Sequence, residues 1–309
     1  MQWGQIKTLF IFCFLILDIF LLHQFINNQE SELPFLPEYS REDNLRTNIN
    51  GLEEIPEEPT SAEMLYAQRK EIFEETMGEI GELPNQNPIV VDDHLIISTL
   101  DEPVEMEVEG SMETLEDHIW NGQAYTYYGK DEKSNTLIFF QELEHPIFFN
   151  QSGVLLVQLN EDGDMIRYVQ TALEEAEEKP EEEDLIRSID AVSTLYYNGK
   201  LLSGDEVTDV AIGYHNLLPL PNGVQVLTPT WEIEVNEDKY FFVNAIEGHF
   251  ASRDKNDFVI EMVEDQVVDY LGDHTEAEIE SVNEDWEQED LEEYVEQIIE
   301  NLELSIGVE

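Results

Sequence analysis

The sequence predicts an α+β protein: a single amino-terminal transmembrane helix, then two tandem modules of mainly antiparallel sheet with supporting helices, then an acidic tail. Three observations carry this. The first thirty residues, MQWGQIKTLFIFCFLILDIFLLHQFINNQE, are an almost unbroken apolar run. Between residues 88 and 248, short alternating apolar segments adjoin one another along the chain, the pattern of hairpins and meanders. Strand-like segments outnumber those with a helical apolar period, which places helices as supports on sheets.

Residues 1–5 form a short cytoplasmic head. Ile6 to Ile26 is a stretch of 21 residues, and a helix needs roughly 20 to cross a bilayer. Lys7 lies on its amino side, and the next Lys or Arg is Arg41. That bias keeps the amino terminus in the cytoplasm and places the rest outside the cell membrane as a single-pass protein. A cleaved signal would have a shorter apolar core and a small-residue cleavage site; the following HQFINNQESELPF has no A-x-A pattern, so an uncleaved anchor is expected. Cys13 is the single cysteine, which rules out an intramolecular disulfide.

Asp18 interrupts the apolar run near the bilayer midplane. A carboxylate there costs about 2.5–3.5 kcal/mol on insertion scales, a cost offset by hydrogen bonding to a neighbouring helix. Helical spacing puts Ile11, Leu15, Leu22 and Phe25 on the same face. These five residues form a candidate membrane-helix contact; a tolerated polar defect is the alternative.

Residues 27–59, with Pro34, Pro37, Pro56 and Pro59, read as an extracytoplasmic spacer. The first module is expected over 60–132. It opens with an amphipathic helix over 60–81, whose apolar face holds Met64, Leu65, Ile72, Phe73 and Met77. Strands follow at 88–100, 102–110 and 123–129. The second module is expected over 133–253. It has a strand at 135–143, then a hairpin over 153–173 that turns at Asp162-Gly163. After the charged link 174–184 comes a helix over 184–199, whose core face is Leu185, Ile189, Val192, Leu195 and Tyr196. A closing meander turns at Asn236–Asp238. Residues 256–309 hold 20 Asp or Glu and no Lys or Arg. The region 254–309 therefore reads as a mostly flexible acidic tail. One amphipathic helix in it, through Trp286, Leu291, Tyr294, Val295, Ile298, Ile299 and Leu302, either docks or stays solvated.

The net charge is −57, from 14 Lys or Arg and 71 Asp or Glu. Such a surface repels nucleic acid and anionic lipid headgroups. It reads as adaptation to a salty or alkaline exterior, with an acidic binding surface as the alternative. No enzyme motif is present: there is no G-x-S-x-G, H-E-x-x-H or P-loop. His94, His118, His145, His215, His249 and His274 stand singly, without metal-ligand spacing. NEDGD at 160–164 lacks the full twelve-residue calcium loop. No catalytic, cofactor-binding or metal residue is assigned and no cofactor is expected. The aromatic segments YTYYG, YFF and PTW are expected in the core, with a groove as the alternative.

The anchor QIKTLFIFCFLILDIFLLHQF, the stretch AIGYHNLLPLPNGVQVLTPTWEIEVNEDKYFFVNAIEG (211–248) and FFNQSGVLLVQLNEDGDMIRYVQT (148–171) together resemble the YycI (WalI) family. The most recognisable residues are Gly213-Tyr214, Val224–Val226, Pro229–Trp231 and Phe242–Gly248. The resemblance covers residues 1–250. It implies a membrane-anchored, non-enzymatic accessory regulator of the WalK–WalR (YycG–YycF) two-component system, with an outer part built like that of the companion protein YycH. Implied partners are a YycH-like membrane protein and a WalK-type sensor histidine kinase that controls cell-wall metabolism. Two departures stand out: a carboxylate at Asp18, where an amide is commoner in the family, and a longer acidic tail. Two other readings stay open. One is an extracytoplasmic ligand-binding module sensing a wall fragment or small molecule, which needs a deep pocket. The other is an anchored wall hydrolase, which needs two carboxylates facing one cleft.

Overall fold

The computed structural model describes residues 7, 11, 14–22, 41–57, 59–106, 111–177, 182–216, 223–268, 271, 278–283 and 286–307. The chain divides into two compact units, Met1–Asn44 and Leu45–Glu309. In the first, residues 14–22 are helical.

Helix α1 (Arg41–Asn48) buries Leu45, and Ile49 and Leu52 join the same apolar cluster. Strands β1 (Ser61–Glu63) and β2 (Leu65–Arg69) precede α2 (Glu74–Gly81). Strands β3 (Gln86–Val91) and β4 (Leu95–Val104) form a hairpin. It turns at Asp92 and Asp93, whose φ angles of 47° and 56° match the twist of a tight hairpin. Helix α3 (Ser111–His118) leads into the hairpin of β5 (Tyr125–Asp131) and β6 (Thr136–Gln141). Next come β7 (Ile147–Phe148), β8 (Val154–Leu159) and β9 (Met165–Thr171). The β8–β9 turn holds Gly163 at φ 93°, as its Asp-Gly pair predicts. Strands β10 (Leu173–Glu175) and β11 (Glu182–Asp184) precede α4 (Ser188–Tyr197). The meander of β12 (Val207–His215), β13 (Gln225–Val235), β14 (Lys239–Asn244) and β15 (Phe250–Ala251) follows. Its β13–β14 turn holds Asn236 and Glu237 at positive φ. Helix α5 (Lys255–Val263) runs into a π-helical segment, Glu264–Val268. Strand β16 (Ile279–Ser281) and helix α6 (Gln288–Ile306) end the described fold.

Among the described residues, two seven-stranded sheets form the second unit, with a small β1–β11 ribbon beside them. The first sheet has the order β16-β3-β4-β9-β8-β6-β5. The second runs β10-β2-β13-β12-β7, with β14 also on β13 and β15 on β14. All pairs are antiparallel except β12 with β7. The α+β class with mostly antiparallel sheets thus holds.

Helices cover both faces of the first sheet. One face buries Ile97, Ile138 and Leu156 against Phe258, Met262 and Val263 of α5 and Val295, Ile298 and Leu302 of α6. The other packs Ile96, Phe139 and Leu155 against Ile80 of α2 and Leu115 of α3. On the second sheet, Trp231, Ile233 and Val243 pack against α1 and α4 through Leu45, Val192 and Leu195. The aromatic segments lie mostly in these cores: Tyr125, Trp231, Phe241 and Phe242 are buried.

Five expectations are corrected. The helix over 60–81 is two strands and a short helix. Leu65 and Ala67 bury on alternate positions as β2 pairs β10 and β13, so sheet pairing overrides the local helical period. The segment 88–100 is a hairpin turned by Asp92-Asp93, and β4 takes up residues 101–104. The spacer's later part carries α1 and core residues Leu45, Ile49 and Leu52; residues 23–40 lie outside the described set. The region 254–309 is largely folded. Asp254 caps α5, β16 extends the first sheet, and α6 docks through residues its sequence marked as apolar. The tandem division near residue 132 also falls inside the β5–β6 hairpin. The second sheet takes β2, β7 and β10 from among the strands of the first, so the two sheets interleave along the chain.

Candidate functional site

In the first unit, the stretch 14–22 is apolar on all sides apart from Asp18. Its side chains are exposed, with Ile16 at 64% and Phe20 at 59%. A helix apolar all round belongs in a core or a bilayer. Among the described residues no helix is long and apolar enough to cross a membrane, and the expected span of 6–26 runs into residues outside them. Of the candidate contact face, Ile11, Leu15, Asp18 and Leu22 are exposed helical residues. They follow an i, i+4, i+7, i+11 spacing, which is one helical face. Phe25 lies outside the described residues.

In the second unit, a polar joint ties the two sheets. Arg69 ends β2 of the second sheet, while His94 follows the β3–β4 turn of the first. The loop from β7 to β8 brings Asn150, Gln151 and Ser152, the start of β13 brings Gln225, and the π-helical segment brings Gln266. The Arg69 guanidinium donates to Ser152 Oγ at 3.2 Å, His94 Nε2 at 2.9 Å and Gln266 Oε1 at 3.1 Å. Gln266 Nε2 donates to Gln151 Oε1 at 3.2 Å. Asn150 Nδ2 donates to Gln225 Oε1 at 2.9 Å, and Gln225 Nε2 donates to Ser152 Oγ at 3.3 Å.

Arginine only donates and a backbone carbonyl only accepts. His94 therefore accepts at Nε2 and donates from Nδ1 to Asp92 O at 2.6 Å. Burial pulls its pKa below the ordinary histidine value, against the Asp92 bond, and the Arg69 cation lowers it further. Its lone pair is engaged by Arg69, so the arrangement serves positioning and not proton transfer. A neighbouring cleft of about 380 Å³ is lined by Gln68, Arg69, Glu71, Asp92, Asp93 and His94.

A second titratable cluster sits on β13. Burial raises Glu232 to about 7, despite Tyr128 and Lys255, with help from Asp209 and Glu234. Glu232 Oε1 and Tyr128 Oη are close neighbours, yet both are buried without a hydrogen bond of good geometry. Beside them, Tyr240 Oη donates to Glu234 Oε1 at 2.6 Å. His215 is also buried, stacks on Phe242 and falls to about 4 through burial, with Arg253 nearby. Among the described residues no three His, Cys, Asp or Glu are grouped to hold a metal.

Sequence reasoning named none of the joint's residues as a site. The available signal was Arg69, a cation in an acidic chain, followed at 150–152 by three consecutive short polar residues flanked by apolar runs.

The model of the YycI protein family matches residues 40–246, two thirds of the chain. The chain belongs to the YycI family. Members of this family are regulatory accessory proteins of two-component systems, and the match spans α1 to the end of the β12–β14 meander. No curated protein matches the chain. Among solved structures, it is similar to an uncharacterized protein from Eubacterium rectale ATCC 33656, at 11% identity and a TM-score of 0.40, over 67% of this chain and 89% of that one. It is also similar to YycH from Bacillus subtilis, at 14% identity and a TM-score of 0.34, over 63% of this chain and 53% of that one.

Proposed function

We propose that this YycI-family chain is a non-enzymatic, membrane-anchored regulator. It associates with a YycH-like membrane protein and modulates a WalK-type sensor histidine kinase that controls cell-wall metabolism. Residues 6–26 cross the membrane once, with the head in the cytoplasm and the second unit outside. The observation that carries this reading is the exposed apolar helix at 14–22 in a member of a regulatory accessory family. Exposed on every side, such a surface is stable in lipid and not in water. Asp18 marks the face that meets neighbouring helices, since a carboxylate at that depth is relieved by a partner's polar group. The second unit, held rigid by its polar joint, keeps the partner's outer part at high effective concentration. A change in kinase output then requires different contacts with the kinase's two states.

Co-purification of the full-length chain from its membranes, beside an Asp18→Leu variant, tests this. Wild type is expected to recover a YycH-like protein and a sensor kinase, and the variant to lose them. Recovery with neither form would remove the reading. Recovery with both would move the contact from the stem to the outer unit.

A further inference from the structure

The chain carries about five acids for each base, 71 against 14. Even so, five of those bases line one open cleft of about 570 Å³: Lys130, Lys133, Lys239, Arg253 and Lys255. They come from separate places, the β5–β6 hairpin, the start of β14 and the entry to α5. Their convergence is therefore a product of the fold and not of a local sequence run.

Four carboxylates share the wall, Asp131, Glu132, Asp238 and Asp254, and two of them are engaged internally. Asp131 is 5% exposed. Burial works against its charge, but bonds from the Ser134 hydroxyl and amide, Asn256 Nδ2 and the Lys133 amide prevail and hold it below the usual carboxylate range. Asp254 caps α5, accepting from the amides of Asn256 at 2.9 Å and Asp257 at 3.2 Å.

The walls are braced as well. Asn256 accepts from Lys133 Nζ at 2.7 Å and donates to Asp131 Oδ2 at 3.1 Å, which ties the hairpin to α5. Lys255 Nζ lies 4.8 Å from the Tyr240 ring centre and 5.5 Å from that of Tyr128. Gly129 gives it room, because a Cβ there would stand 2.7 Å from Nζ. Lys130 pairs with Glu132 at 3.1 Å and Arg253 with Glu261 at 3.5 Å. Both pairs are open to water, where such contacts are weak and readily exchanged.

We propose that this cleft binds a phosphate-bearing anion with more than one negative charge. Four of its five cations are lysines, which bind phosphate as point charges, and the fifth is an arginine, whose fork also matches phosphate oxygens. The net charge of −57 does not forbid this, since screening beyond about 8 Å at physiological salt leaves the nearest charges dominant. The site goes beyond the accessory-regulator reading and does not depend on it.

Equilibrium dialysis of the full-length chain in detergent against labelled inorganic pyrophosphate tests the proposal. Wild type is expected to bind, and to bind more weakly as salt is raised to about 0.5 M. The double variant Lys239→Gln/Lys255→Gln is expected to bind about tenfold more weakly or worse. Lys200→Gln, which changes a cation that stands over the Phe250 ring and does not line the cleft, is expected to match wild type. Glycerol 3-phosphate in the same cell separates the sources. Binding of pyrophosphate alone assigns a free oligophosphate, and binding of both extends the site to phosphate esters, lipid headgroups included. Absence of binding by either probe, or equal affinity in wild type and the double variant, overturns the proposal.

Discussion

At the scale of single residues, buried polar groups set this protein's chemistry. The Arg69 hydrogen bonds reach His94, Ser152 and Gln266, so one charge locks three segments together. Sequence alone placed none of these partners, because they meet only after β2 crosses to the second sheet. Asp162-Gly163 and Asn236–Asp238 were legible as turns, because positive φ favours those residue types. Glu232 was not legible: it is one of 71 acids, and only the fold buries it between Tyr128 and Tyr240. Its pKa of about 7 stands above its ordinary value of 4.5. The folded state therefore keeps a proton between those values that the unfolded state has lost. That stabilisation is complete below about 4.5 and is lost as pH rises through about 7. The facing groups Asp209, Glu234, Lys255, Tyr128 and Tyr240 accompany it in both forms. Glu232→Gln is expected to gain on wild type by roughly 2 kcal/mol as pH is raised across this window. Urea midpoints measured at both ends of the window check it, and an unchanged gap contradicts it.

At the scale of elements, apolar periodicity located the pieces that pack on their own terms and missed those decided by pairing. The helix around Ile189, Val192 and Leu195 and the hairpin over 153–173 follow from local pattern. The segment 60–81 does not, because β10 and β13 on either side of β2 determine its form. The acidic region after residue 254 is the clearest case. Charge density predicts a solvated tail, yet the acids lie on the outer face of α6 while Val295, Ile298 and Leu302 face the first sheet. Tyr294 fixes the register: its hydroxyl donates to Asn87 O at 2.6 Å and accepts from the Thr99 amide at 3.0 Å. Ile298→Ala is accordingly expected to destabilise the second unit by about 2–4 kcal/mol, read as a lower urea midpoint. An unchanged midpoint would return the helix to solvent.

At the scale of the whole molecule, a strongly acidic composition and an apolar amino-terminal helix stand at opposite extremes of one chain, and the proposed function assigns solubility to the first and attachment to the second. Net charge was legible at once, and so was the apolar run. The interleaving of the two sheets was not, since strands at 65–69, 147–148 and 173–175 leave one sheet's sequence region to complete the other. A unit built this way resists separation into halves, which fits the proposed role of favouring one state of a sensor kinase. The most direct test of that role is the autophosphorylation rate of a WalK-type kinase in nanodiscs with a YycH-like protein, with and without the full-length chain. The account predicts a change of roughly fivefold or more, in one direction, on adding the chain. An unchanged rate, with all three proteins present in the same disc, would contradict it.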